Sequence, residues 1–250
     1  MKEKIFFLSK IIVLCIFFIF TQSYKVLAVQ NILLLVLVIS IFWGINISRI
    51  VFLLLFIYFQ VTGLSTAWHN IFATGIVVTL LMGRFFCGWI CHMNTVFKGI
   101  ELIYTKVGFK RYKVPGVLRK KYIRYIALFI YIASMITTTI LRIHNNVILY
   151  VTILSIIITL VFEEELWHKY LCPLGTVFSI FSSKSIFGMQ VSDSSCISCG
   201  LCEKVCPNKV IIVKGNKKRD IQNKDCLTCF ECKYKCPKNA ISYSKLNKAI

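Results

Sequence analysis

For the first two-thirds of the chain, long apolar stretches alternate with short polar breaks, and then that pattern stops. Residues 5–22, 26–48, 50–67 and 71–86 are near-continuous apolar runs, and two more follow at 122–141 and 147–162. Each is long enough, or nearly so, to cross a hydrocarbon core about 30 Å thick as a helix. Beyond about Gly188 the runs end, and short apolar pieces at Met189–Val191, Val210–Val213 and Ala240–Tyr243 flank cysteine-rich turns. The expected fold class is therefore an α-helical integral membrane protein of about six spans with a small C-terminal domain of roughly 60 residues.

This pattern divides the chain into four segments. Residues 1–94 hold membrane helices one to four and end in a C-x3-C motif; residues 95–121 form a basic segment. Residues 122–187 hold helices five and six and a Cys-Pro motif, and residues 188–250 form the cysteine-rich domain. In the basic segment Phe97, Ile100, Leu102, Ile103 and Tyr104 alternate with cations. That mixture fits an amphipathic stretch on a lipid surface or a loop that fixes topology. Pro115 breaks the segment before the fifth run.

Composition sharpens this picture. The 250 residues are 57% hydrophobic and only 16% charged, with a net charge of +20 and a mean hydropathy of +0.74. An ordinary soluble domain carries about 25% charged residues of both signs. The basic excess is read as a topology signal and not as a nucleic-acid footprint, because Lys and Arg favour cytoplasmic loops. Six spans with both termini cytoplasmic put Lys2, Arg49, Arg84 and the cations between Lys98 and Arg124 on one side, leaving Lys25 and Arg142 outside. A signal peptide ending near Ala28 is an alternative for the first run. No carboxylate falls in the middle of a run, which argues against an ion-coupled carrier. The Glu163–Glu165 run is expected at a solvated helix end.

The candidate chemistry lies in the cysteines. Eight of the twelve fall between Cys196 and Cys236, in two units that begin thirty residues apart. Each unit, CISCGLCEKVCP and CLTCFECKYKCP, is a C-x2-C-x2-C-x3-C-P run. Three closely spaced thiolates wrap three corners of a cubane, and the fourth cysteine of each run ligates the other cluster. One [4Fe–4S] cluster is therefore assigned to Cys196, Cys199, Cys202 and Cys236, and a second to Cys206, Cys226, Cys229 and Cys232. Zinc is the alternative for paired C-x2-C motifs, but zinc ribbons do not use three cysteines at this spacing followed by Cys-Pro. No catalytic residue is singled out.

Two further motifs, GRFFCGWICHMN and ELWHKYLCPLG, sit at the ends of apolar runs. Cys87 and Cys91 are spaced i, i+4, as are His168 and Cys172, so each pair occupies one face of a helix. Together they form a candidate additional metal, cluster or redox-thiol site; the alternative is buried thiols and an interfacial histidine. The sequence from Cys87 to His92 is one residue too long for a c-type haem motif. His69 and His144 are candidate proton acceptors or haem ligands, and Cys15 is read as packing filler.

Residues 189–245 resemble bacterial two-cluster ferredoxins, with Gly200, Pro207 and Pro237 at matching positions; the resemblance implies a pseudo-twofold α+β domain. Over about residues 80–245 the chain resembles the NapH/MauN-type polytopic membrane ferredoxin family and, more distantly, the NosR and CcoG proteins. In that family both upstream motifs read C-x3-C-P; here His92 replaces the first proline and His168 the third cysteine. The resemblance implies an electron-transfer subunit of a quinol-linked oxidoreductase in a bacterial plasma membrane. Its partners would be membrane lipid, the quinone pool and a ferredoxin-type, flavin or cytochrome redox protein, with quinone a candidate cofactor. Lys204, Lys209, Lys217 and Lys218 form a candidate dock for an acidic partner. A CcoG-like maturation or redox-sensing factor, reducing a metal or thiols, is the second reading.

Overall fold

The structure is a computed structural model that describes residues 44–62, 75–141, 147–215 and 217–246. The expected span at 5–22, most of that at 26–48, and Cys15, His69 and His144 lie outside the described residues. The described chain divides into two compact units, one made of residues up to His92 together with Ser179 onward, the other of Met93–Phe178.

The fold-class expectation is corrected here. Among the described residues no helix is long and apolar enough to cross a membrane, and the six-span architecture and the multi-pass plasma-membrane location both fall with that finding. The local reasons are legible. The apolar run at 71–86 is broken at Gly83, whose φ of +68° ends the helix over residues 75–82. The run at 147–162 yields a 15-residue helix, Val147–Val161, which rises only about 22 Å at 1.5 Å per residue. The helix Lys121–Ile140 spends its first turn on Lys121 and Arg124 and its last on threonines.

In the first unit, helix α1 (Ile45–Thr62) and the short helix α2 (Phe85–Trp89) precede the cysteine-rich region. Strand β1 (Phe187–Val191) pairs antiparallel with β4 (Ile241–Lys245), placing Met189 opposite Tyr243. Both side chains are buried. In β4, Ile241 and Tyr243 point inward while Ser242 and Ser244 do not, the alternation that a strand with one buried face requires. Strands β2 (Ile211–Val213) and β3 (Arg219–Ile221) form a second antiparallel pair, with Ile211 opposite Ile221. Two-stranded ribbons are marginal by themselves. Here they close over a core containing Met189, Val210, Ile221, Leu227, Phe230 and Tyr243.

The thirty-residue repeat is written into the backbone. Ser198, Gly200 and Lys209 have φ of 61°, 74° and 45°, and their counterparts Thr228, Phe230 and Asn239 have 52°, 63° and 48°. Left-handed residues bend the chain back between cysteines so that successive thiols face one point. Gly200 adopts this conformation freely. Phe230 does so at a cost of order 1–3 kcal/mol, against which its ring packs on Trp89 and Tyr243 at 6.0 and 5.8 Å.

The second unit holds helix α3 (His92–Val107) from Met93 onward, α4 (Lys121–Ile140), α5 (Val147–Val161) and a π-helical turn, Leu166–Leu171. Val114, Leu166 and Tyr170 form its small core, with Leu118, Ile123, Ile158 and Phe162 packed around them. Glu164 and Glu165 are buried, contrary to the solvated helix end expected for this run. Arg111 bridges Glu101 and Glu164, and Arg119 and Lys169 approach Glu165 at 3.7 and 3.3 Å. The cations around these acids make their burial tolerable.

Candidate iron–sulfur centre

The cysteine-rich region brings its eight thiols into two cavities. One is lined by Cys196, Cys199, Cys202 and Cys236. The other is lined by Cys206, Cys226, Cys229 and Cys232. Each set takes three cysteines from one repeat and the fourth from the other.

The path of the chain accounts for this crossing. After Cys202 the short helix α6 (Leu201–Val205) ends, and Cys206 leaves it in extended conformation with ψ 110°. Cys206 and Cys236 each accept a backbone N–H three residues on, from Lys209 and Asn239 at 3.2 Å. These turns carry the fourth thiol of each run away from its own loop. The Ala240 N–H donates to the Cys236 sulfur at 3.3 Å.

The two cavities differ in their electrostatics. Burial pushes the Cys226 thiol up to about 12, with the neighbouring Cys229 and Cys206 adding to the rise. Cys232 is raised by burial and then by Cys226, Cys229 and Cys206. Around the first cavity, burial raises the Cys196 thiol, but the N–H groups of Ser198 and Arg219 and the charges of Lys218 and Arg219 bring it below its ordinary value on balance. Cys199 is exposed, whereas Cys229 is half-buried.

The donor set fits a cluster. In the second set burial and neighbouring thiols hold Cys226 and Cys232 against ionisation, and a group that supplies positive charge to the thiolates removes that conflict. Among the described residues no three His, Cys, Asp or Glu side chains converge as they would on a single metal ion. A cubane takes its thiolates further apart, one on each of four irons.

The second cysteine loop is covered by α2. An ideal Cβ on Gly88 would lie 2.2 Å from the Leu227 carbonyl oxygen and 3.2 Å from the Cys229 nitrogen, so only glycine permits this approach. The Trp89 indole N–H donates to the Thr228 carbonyl at 3.2 Å. Arg49 donates from Nε to the Gly88 carbonyl at 2.9 Å and lies 3.8 Å from Glu231. The Gly88 and Trp89 contacts with the loop span about 140 residues of sequence, and no local motif announces them.

The candidate additional site is divided between the units: Cys87 and Cys91 belong to the first, His168 and Cys172 to the second. Cys87 is buried beside Arg84, with 3.9 Å between Nη2 and Sγ; burial raises its pKa, opposed by the Arg84 charge and hydrogen bond. The Cys91 N–H donates to the Phe86 carbonyl at 3.0 Å. His168 is buried in the π-helical turn with its ring edge-on to Phe97 at 5.1 Å. The Cys172 sulfur accepts the Gly175 N–H at 3.2 Å.

A thirty-residue pseudo-repeat with two crossed four-thiol cavities defines a ferredoxin-type iron–sulfur protein. Residues 195–241 match the family model described as a 4Fe-4S dicluster domain, and residues 64–110 and 147–190 match one described as a 4Fe-4S binding domain. The chain belongs to the NapH/MauN-type ferredoxin family. An uncharacterized protein of Methanocaldococcus jannaschii is 33% identical over 191 residues, which cover 68% of this chain and 75% of that protein. The ferredoxin-type protein NapH of Haemophilus influenzae is 23% identical over 53% of this chain and 50% of its own length. The methylamine utilization ferredoxin-type protein MauN of Paracoccus denitrificans is 23% identical over 57% of this chain and 55% of its own length. The chain thus spans about half the length of several of its relatives. No solved structure matches it.

Proposed function

We propose that this protein is a two-cluster electron carrier that exchanges single electrons between a quinol-linked component and a redox protein partner. Cys196, Cys199, Cys202 and Cys236 hold one [4Fe–4S] cluster, and Cys206, Cys226, Cys229 and Cys232 hold the other. The observation that carries this reading is the crossing of the two thiol sets, each completed by the fourth cysteine of the opposite repeat. Bound there, each cluster supplies a one-electron couple. The chain's own residues do the rest: the left-handed turns aim the thiols, α2 keeps water from the second set, and the exposed Cys199 offers the first set to a partner.

The partner side of the reading rests on charge. Lys238 and Arg219 line the first cavity, and Lys204, Lys209 and Lys217 are exposed on the same domain. Such a rim favours an acidic redox protein and makes the transfer rate fall with ionic strength. The quinol-linked component is carried over from the family resemblance alone.

Low-temperature EPR on the anaerobically purified full chain tests the reading. The expected result is two interacting reduced-cluster signals with dithionite, iron and sulfide matching two [4Fe–4S] clusters, and partial reduction by a menaquinol analogue. Iron matching one cluster or none overturns the carrier assignment. Reduction by dithionite but not by the quinol analogue removes the quinol link and leaves the carrier.

A further inference from the structure

Arg84 sits immediately before α2 and is completely buried. Its Nη1 donates to the Asp225 carbonyl at 3.5 Å and lies 3.6 Å from the Asp225 carboxylate, while Nη2 donates to the Cys87 sulfur. Asp225 directly precedes Cys226. Its carboxylate accepts the Ser179 hydroxyl at 2.8 Å, and its carbonyl also accepts the Asn208 amide. A buried cation and a buried anion therefore stand together at the entry to the second cysteine loop. Among the described residues the first loop shows no such pair: thirty residues before Asp225 stands Ser195, which is exposed, and the cations near Cys196 are the half-buried Lys218 and Arg219.

We propose that Arg84 is a positioning residue that sets the reduction potential of the cluster held by Cys206, Cys226, Cys229 and Cys232, raising it, with Asp225 acting in the opposite sense. The inference rests on the cluster assignment proposed above. Reduction adds one electron to the cluster and breaks no bond, so the reduced site is more negative by one charge. A nearby guanidinium stabilises that added charge and a carboxylate destabilises it. Both act strongly because little water reaches them to screen the field. The charge of Arg84 already reaches Cys226, where it favours the thiolate.

The test is an EPR-monitored potentiometric titration of the full chain, with the two signals assigned to their ligand sets by Cys199→Ser and Cys229→Ser. Arg84→Met is expected to shift the second cluster's potential down, Asp225→Asn to shift it up, and Arg84→Lys to leave it near the wild-type value. The first cluster stays in place in all three. The double variant Arg84→Met with Asp225→Asn leaves no unpaired charge buried, so it folds if either single variant does not; its net shift is smaller than that of Asp225→Asn. A residue that only holds the loop together would not give shifts of opposite sign. Equal shifts of both clusters, or shifts of the same sign for Arg84→Met and Asp225→Asn, overturn the inference while leaving the carrier reading intact. Wild-type iron for fewer than two clusters removes the cluster assignment itself, and the inference with it.

Discussion

Trp89 donates its indole N–H to the carbonyl oxygen of Thr228, and so ties a residue of the upstream C-x3-C motif to the backbone between two cluster-loop cysteines. Thr228 is held at φ 52°, and a strained residue persists only where its surroundings fix it. The Trp89 bond, the Gly88 approach and the Phe230 packing are those surroundings. The upstream motif thus serves the second cysteine loop whatever else its thiols do.

Gly88→Ala is the sharpest probe of that contact. The added Cβ meets backbone at 2.2 Å, and backbone cannot swing aside as a side chain can. The expected cost is about 1–3 kcal/mol, read as a lower thermal midpoint, together with faster iron loss from one cluster only. Trp89→Phe keeps the ring but removes the donor, and should cost about 1 kcal/mol. If Gly88→Ala unfolds like the wild type and retains its iron, α2 does not cover this loop.

The proposed crossed ligation makes a pairing prediction. Cys206→Ser should alter the same EPR signal as Cys226→Ser, although the two residues lie in different repeats, and Cys236→Ser should alter the same signal as Cys196→Ser. Because each cluster would bind both halves, loss of either should loosen the whole domain, seen as protease sensitivity after chelation. Pairing within repeats, with Cys206 following Cys196, would contradict the assignment.

Local spacing singled out the eight cysteines that line the two cavities, since C-x2-C-x2-C-x3-C-P is a property of a short stretch. The thirty-residue repeat in sequence reappears as the matched left-handed residues Ser198 and Thr228, Gly200 and Phe230, Lys209 and Asn239. What the sequence did not reveal depends on distant chain segments. Nothing near Arg84 predicts Asp225 as its partner, and nothing near Arg111 predicts that Glu164 is buried against it. The membrane reading failed for a related reason: an apolar run states what a segment avoids, not how long its helix is. Gly83 breaks one run with a left-handed turn, and the run at 147–162 stops after 15 helical residues.

His92 gives the fold an acid-sensitive point. Its ring stacks on Phe56 at 3.7 Å and 6° between planes, and burial lowers its pKa from 6.5 to about 3. Above pH 6.5 the residue is neutral in both folded and unfolded chains and has no pH-dependent effect. As pH falls from 6.5 toward about 3, the unfolded chain takes up a proton that the folded one refuses, so stability falls. The slope approaches about 1.4 kcal/mol per pH unit for this one proton. Chemical denaturation at a series of pH values should show His92→Leu flattened over that window; an unchanged slope would remove His92 as its source.

Arg111 organises the acid run of the second unit. Its side chain is only 8% exposed and faces two carboxylates, Glu101 and the buried Glu164. Removing one partner of a buried ion pair leaves an uncompensated charge and typically costs about 3–5 kcal/mol. Here Glu101 is itself 45% exposed and can turn to water, so most of the penalty falls on Glu164. Arg111→Met should therefore destabilise this unit by about 3 kcal/mol, read as a lower denaturation midpoint. Adding Glu164→Gln removes the stranded charge and should recover a large part of the loss. A single variant as stable as the wild type, or a double variant no better than the single, would mean that Glu164 is held by other groups and that Arg111 is not its counter-charge.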